Sequence, residues 1–283
     1  MIPVTRISEP DILKQNAKKW LTELKKAINN LEQVTSNPTS QNQKIKEAKT
    51  KVDNAQNKYN PGKIKKSGIN PVKQPLYDMF CGKCAFCERK VEISTGHIEH
   101  FKPKSQYVDL TFDWNNLLYS CEVCNNKQHK GDKFPLDCDA TPLLIDPTDK
   151  NCDIYEYLEF YWDKNTQLAS IYGKDGRGKV VEEIFELNRK DLRKHRSDQI
   201  RTILVLLEFA QGNDTRAIEA RELLKEYCKP DREYSAFALF YILPYLAHHF
   251  HILEAIEMIK KVSQQSHNYA KFARFDDLVY YLK

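Results

Sequence analysis

The chain has 283 residues, 41% of them hydrophobic and 29% charged, with a net charge of +5, the make-up of a soluble globular protein with length enough to bury a core in one or two domains. No apolar run approaches the roughly 18 residues that span a bilayer, and Met1 to Arg6 lead into polar helix formers rather than a signal-peptide core, so a cytoplasmic protein with no membrane partner is expected. Thiols stay reduced there, and eight cysteines, four of them in CxxC pairs, point to metal rather than disulfides.

The charge is uneven along the chain. Residues 1–80 carry 15 Lys/Arg against 7 Asp/Glu, a net of +8, which leaves −3 for the other 203. Such a basic arm can track phosphates, although a solvated lysine-rich helix face has the same composition. Ser8-Glu9-Pro10-Asp11 reads as a helix start with Ser8 as cap. Leu13, Ala17, Trp20, Leu24, Ala27 and Leu31 then follow in a narrow 4-3-4-3-4 seam. After a polar turn over 34–43, Ile45, Ala48, Val52, Ala55 and Tyr59 form a second seam. Two seams on a short linker predict an antiparallel helical hairpin that closes on itself, with the sparser seam open to a partner protein. Asn60-Pro61-Gly62 ends it, and a basic linker runs to Asn70.

A short helix over 71–80 leads to Cys84-x-x-Cys87, which pairs with Cys121-x-x-Cys124. Two CxxC turns complete the tetrahedral thiolate shell of one structural zinc. Cys81 offers an alternative CxxC register, but Phe86 between Cys84 and Cys87 suits a knuckle. Cys81, Cys138, Cys152 and Cys228 are expected to be unliganded. Between the pairs lie Glu99 and His100. Histidine can take a proton from water at neutral pH, and a carboxylate can hold the cation that phosphodiester hydrolysis requires. Neighbours on a strand point to opposite faces, so Glu99 and His100 share a site only where the strand ends, and Lys102-Pro103-Lys104 supplies an end. His97 could line the same face. After Cys124 a helix is expected to place Asn125 and His129 at i and i+4 as ligands of one divalent ion with Glu99, with Lys127 and Lys130 contacting phosphate. Mg²⁺ or Mn²⁺ suits such mixed oxygen and nitrogen ligands.

Leu158/Phe160/Trp162 and Leu168/Ser170/Tyr172 around Asp163-Lys164-Asn165 predict a β-hairpin. The glycine-rich run 173–178 lacks phosphate-loop spacing and reads as a loop. From Val180 to Lys283 the pattern is helical, with helices over 217–228, 234–250, 252–262 and 269–282.

The ordered string Cys84-x-x-Cys87, Glu99-His100-x-x-Pro103, Asn116-Leu117, Cys121-x-x-Cys124-Asn125-x-Lys127 resembles the zinc-containing HNH endonucleases. With Cys84-Ala-Phe-Cys87-Glu88, Trp114-x-Asn116-Leu117, Phe134-Pro135, Leu144-Ile-Asp-Pro147, Arg6-x-x-x-Pro10 and Glu186-Leu-Asn-Arg189, it narrows to the PtuB-like HNH proteins of Septu and retron anti-phage defence, over residues 1 to about 210. The resemblance implies a ββα-metal finger with His100 as base and Asn116 orienting loop and base. Glu99 stands where Asp is usual and Asn125 where His is usual. It also implies an endonuclease cleaving DNA or RNA, including tRNA, in complex with a PtuA-like ABC/SMC-type ATPase, joined in retrons by a reverse transcriptase and its RNA–DNA hybrid.

The expected architecture is mainly α with a small α+β insert. Residues 1–70 form the helical hairpin and linker for partner docking, 71–150 the zinc-bound HNH finger, and 151–283 a β-hairpin and helical domain. A non-catalytic zinc module that binds protein or nucleic acid is the alternative.

Overall fold

The computed structural model describes residues 3–37, 41–59, 68, 70–151 and 153–249. Most of the basic linker, Cys152 and the helices expected at 252–262 and 269–282 lie outside the described residues. Helices predominate, with two small two-stranded sheets.

Helix α1 (Asp11–Ser36) and α2 (Asn42–Gln56) pack against each other. Helix α1 buries Leu13 and Leu24 completely, and α2 buries Ala48, Val52 and Ala55, as the two seams require. The cap differs from expectation: Pro10, not Ser8, holds the N-cap position, and no side chain caps the helix. Proline fixes its own φ and so organises the start without a side-chain acceptor. The hairpin does not close on itself alone. Trp20 meets Phe112 edge-on at 5.6 Å, Tyr59 contacts both Phe112 and His100, and Lys25 pairs with Asp109. Its seam belongs to the same buried cluster as Phe112, Trp114 and Leu117.

Helix α3 (Lys73–Met79) leads into the first cysteine turn. Strand β1 (His97–His100) pairs antiparallel with β2 (Leu117–Ser120), matching His100 with Leu117 and His97 with Ser120. A single helical turn, α4 (Glu122–Asn125), follows the third cysteine. This ββα unit is the small α+β insert.

A second single turn, α5 (Ile154–Tyr157), enters the hairpin of β3 (Leu158–Asp163) and β4 (Leu168–Gly173). Leu158, Phe160 and Trp162 face inward as expected, but their counterparts on β4 are Ala169 and Ile171. Tyr172 is exposed opposite Glu159. The turn holds four residues, with Gln167 at φ 53°, which shifts the inward set by one. Helices α6 (Gly176–Ile184), α7 (Lys190–Phe209), α8 (Thr215–Tyr227) and α9 (Ser235–His249) complete the described fold. Among the described residues no helix is long and apolar enough to cross a membrane.

Candidate active site and metal centre

The sulfurs of Cys84, Cys87, Cys121 and Cys124 lie within 4.8 Å of one another, and all four residues are buried. Cys87 Sγ and Cys121 Sγ are 3.8 Å apart. Zn–S bonds of about 2.3 Å in a tetrahedron place sulfurs about 3.8 Å apart, so the cluster fits zinc. Cys81 stands outside the cluster with φ 52°. The turn after Cys87 needs a left-handed residue, supplied by Glu88 at φ 61°. Glu88 is itself buried, and its carboxylate lies 3.4 Å from Lys83 Nζ.

The residues 185–189 brace the cluster from outside. Phe185 stacks on Phe86 at 4.1 Å. Asn188 exchanges hydrogen bonds with both backbone groups of Ile171 on β4. Burial disfavours the charge on Arg189, but Cys124 and Cys87 beside it outweigh that and raise its pKa. Four thiolates around Zn²⁺ carry a net charge near −2, and the partly buried Arg189, which also pairs with Asp191 at 3.2 Å, is a nearby counter-charge. Its position 68 residues beyond Cys121 gave no signal except the Glu186-Leu-Asn-Arg189 string.

Strand β1 ends at His100, and there Glu99 and His100 turn toward one pocket of about 370 Å³. Its walls include Glu99, His100, His97, Asn125, Lys127 and Asp132 from the finger. Lys73, Lys104, Asn57 and Tyr59 complete it from α3, the β1–β2 loop and the end of the N-terminal hairpin. Composition and spacing did not reveal Tyr59, Lys73, Lys104 and Asp132, because nothing in sequence brings these segments together.

His100 is buried, and its Nε2 lies 2.9 Å from the carbonyl oxygen of Thr111. A carbonyl only accepts, so Nε2 carries the proton and Nδ1 keeps the lone pair. Burial lowers the His100 pKa to about 4, and the ring is neutral at pH 7. The Tyr59 ring lies edge-on to the imidazole at 5.6 Å. Burial lifts Glu99 to about 7, against the pull of Lys130, whose Nζ is 2.8 Å from Oε1.

Asn116 is buried and staples the β1–β2 loop. Its Nδ2 donates to the carbonyls of Lys102 and Leu110 at 2.9 and 3.1 Å, and its Oδ1 accepts from Lys102 N at 2.8 Å. Arg6 fixes the same turn from the N-terminal arm. Its guanidinium donates to the carbonyls of Trp114, Asn115 and Leu117.

Two expected site residues lie elsewhere. The expected helix stops at Asn125, because the Asn126 side chain accepts hydrogen bonds from the backbone of Gln128 and His129 and turns the chain. His129 is therefore not one turn above Asn125. Its ring faces Asn126 Oδ1 at 3.0 Å and Glu186 at 3.6 Å, away from the pocket lining. Lys130, expected to contact phosphate, has no exposed side-chain surface and points inward to Glu99. Lys127 does line the pocket.

Residues 84–131 match the HNH endonuclease family. The chain is 28% identical over 183 residues to the Septu protein PtuB of Bacillus mycoides (strain KBAB4), covering 50% of this chain and 60% of that protein. It is 30% identical over 185 residues to the Septu protein PtuB of Bacillus thuringiensis, covering 58% and 65%. A retron Vc95 HNH protein of Vibrio cholerae serotype O1 biovar El Tor is 25% identical over 150 residues, covering 50% and 69%. The matched regions thus span less than two thirds of either Septu protein. The cysteine cluster and the ββα unit both lie in or beside the segment that matches the HNH endonuclease family, and beyond that segment the chain is similar to HNH proteins of Septu and retron defence.

Proposed function

We propose that this protein is a metal-dependent endonuclease that hydrolyses phosphodiester bonds of DNA or RNA. One observation carries the proposal: Glu99, His100 and Asn125 line a single pocket whose walls also hold Lys73, Lys104 and Lys127. A carboxylate, a neutral imidazole and an amide among ammonium groups form a site for a cation, a water and a phosphate.

Glu99 and Asn125 would hold the divalent ion, Mg²⁺ or Mn²⁺, which supplies charge to the phosphate and the leaving oxygen. His100 Nδ1 takes a proton from water as the water oxygen bonds to phosphorus. The bond from phosphorus to the leaving oxygen breaks, that oxygen takes a proton from solvent to become a hydroxyl, and His100 returns its proton to solvent. Asn116 keeps the loop, and with it the Thr111 carbonyl, in place behind the imidazole. The lysines would contact neighbouring phosphates. His129 has no part in this site.

The Septu and retron relatives support a role as the effector of a defence complex. We propose a PtuA-like ABC/SMC-type ATPase as partner, with a retron reverse transcriptase and its RNA–DNA hybrid in a retron setting.

The test uses plasmid DNA and total tRNA with Mg²⁺ or Mn²⁺, with and without the ATPase. EDTA-sensitive cleavage that disappears in His100→Ala, with zinc content retained, is expected. An active His100→Ala protein would rule out the mechanism, and absence of cleavage in every combination would favour a non-catalytic zinc module.

A further inference from the structure

Lys130 is the charged group that the proposed reaction leaves without a task. Its side chain has no exposed surface, whereas Lys73, Lys104 and Lys127 line the pocket. An ammonium has three N–H donors, and three oxygens surround this one. Nζ lies 2.6 Å from the carbonyl oxygen of His100, 2.8 Å from Glu99 Oε1 and 3.5 Å from the carbonyl oxygen of Gly131. All three donors are taken, and none is left for a substrate.

The approach of Lys130 is set by the zinc knuckle. Its backbone N–H donates to the carbonyl of Cys124 at 3.3 Å. The turn closes at Gly131, where φ is +43° and a Cβ would stand 2.9 Å from Lys127 Cα, so only glycine fits without strain. Lys130 therefore joins the metal cluster to the Glu99-His100 pair, its backbone N–H on the Cys124 carbonyl and its ammonium on the Glu99 carboxylate and the His100 carbonyl.

We propose that Lys130 is a positioning residue for phosphodiester hydrolysis: it occupies one oxygen of Glu99, so that the carboxylate offers the other to the divalent ion, and it fixes the backbone from which His100 projects. The inference rests on Glu99 being a ligand of that ion. A glutamate is one methylene longer than the aspartate usual at this place, and the tether removes the freedom that the extra length brings. A buried pair of this kind contributes little net stability but sets geometry, because each charge is costly without the other.

The experiment compares wild type, Lys130→Met and Glu99→Ala as zinc-loaded full chains. Mn²⁺ binding is followed by electron paramagnetic resonance, and plasmid and tRNA cleavage by initial rates at saturating Mn²⁺. Lys130→Met is expected to lower kcat ~10–100-fold and to shift Mn²⁺ affinity by about tenfold, with the substrate KM within about twofold. A raised KM with unchanged kcat would make Lys130 a phosphate contact and overturn the proposal. Unchanged kcat and Mn²⁺ affinity with only a lower Tm would make it merely structural, and would overturn it too. If Lys130→Met does not retain zinc, Lys130→Gln, which keeps a neutral donor, carries the test with an intermediate loss of kcat. If Glu99→Ala binds Mn²⁺ like wild type, the assignment of Glu99 fails, an outcome distinct from failure of the Lys130 role alone.

Discussion

At the scale of single residues, the pocket depends on side chains that hold others still. Tyr59 packs edge-on against His100 while lying 5% exposed in the core. Tyr59→Phe keeps that face and should keep kcat within a few-fold. Tyr59→Ala opens a cavity costing about 3–5 kcal/mol and should lower kcat as well, read by urea unfolding and initial rates. Equal activity in the two variants would mean that the ring does not steer the imidazole. Asn116 acts through backbone groups alone. Asn116→Ala strands buried partners, a cost of about 1–3 kcal/mol for each one left unsatisfied, and should loosen the loop that carries the Thr111 carbonyl. Hydrogen exchange across 102–111 measures this, and unchanged protection would contradict the stapling role.

At the scale of elements, the zinc knuckle packs on the corner between α6 and α7 through the Phe86–Phe185 stack and the Arg89–Asp191 pair. Joint replacement of Cys84 and Cys87 by serine should remove zinc and the fold of the finger together, since structural zinc contributes folding energy directly. Full zinc content in that variant would refute the cluster. Arg189 lies beside Cys87 and Cys124 and raises no question of substrate contact, because it is absent from the pocket walls. Arg189→Met should therefore hasten zinc transfer to a chelator by ~10-fold while substrate KM stays unchanged. The glutamate-to-arginine string at 186–189 was visible as a motif, but its neighbours were not. Motif spacing reports sequence distance, whereas the contacts here depend on how α6 turns into α7.

At the scale of the whole molecule, one buried cluster runs from Leu13 in α1 to Ile242 in α9. Leu24 is completely buried in the N-terminal hairpin, far in sequence from every cysteine. Leu24→Ala should cost about 2–5 kcal/mol and lower the midpoint of zinc release and of far-ultraviolet circular dichroism equally; a separate early transition would show a hairpin that folds on its own. Residues 11–59, the hairpin that closes the pocket through Asn57 and Tyr59, carry 10 Lys/Arg against 5 Asp/Glu. Nucleic-acid affinity should then fall steeply with salt, as counterion release requires. The sequence by itself determined what local chemistry can write: the two helical seams, the four-cysteine shell, the strand ending at Glu99-His100 and the asparagine that follows Cys124. Those depend on periodicity and on ligand spacing over a few residues. The Asn126 turn that stops the helix after Asn125 is local, but tertiary structure alone decided that His129 faces Glu186 and that Lys130 is an internal counter-charge to Glu99. It also decided that Tyr59 and Lys73 wall the pocket. Each of these turns on where a side chain lies relative to segments tens of residues distant, and packing, not pattern, fixes that.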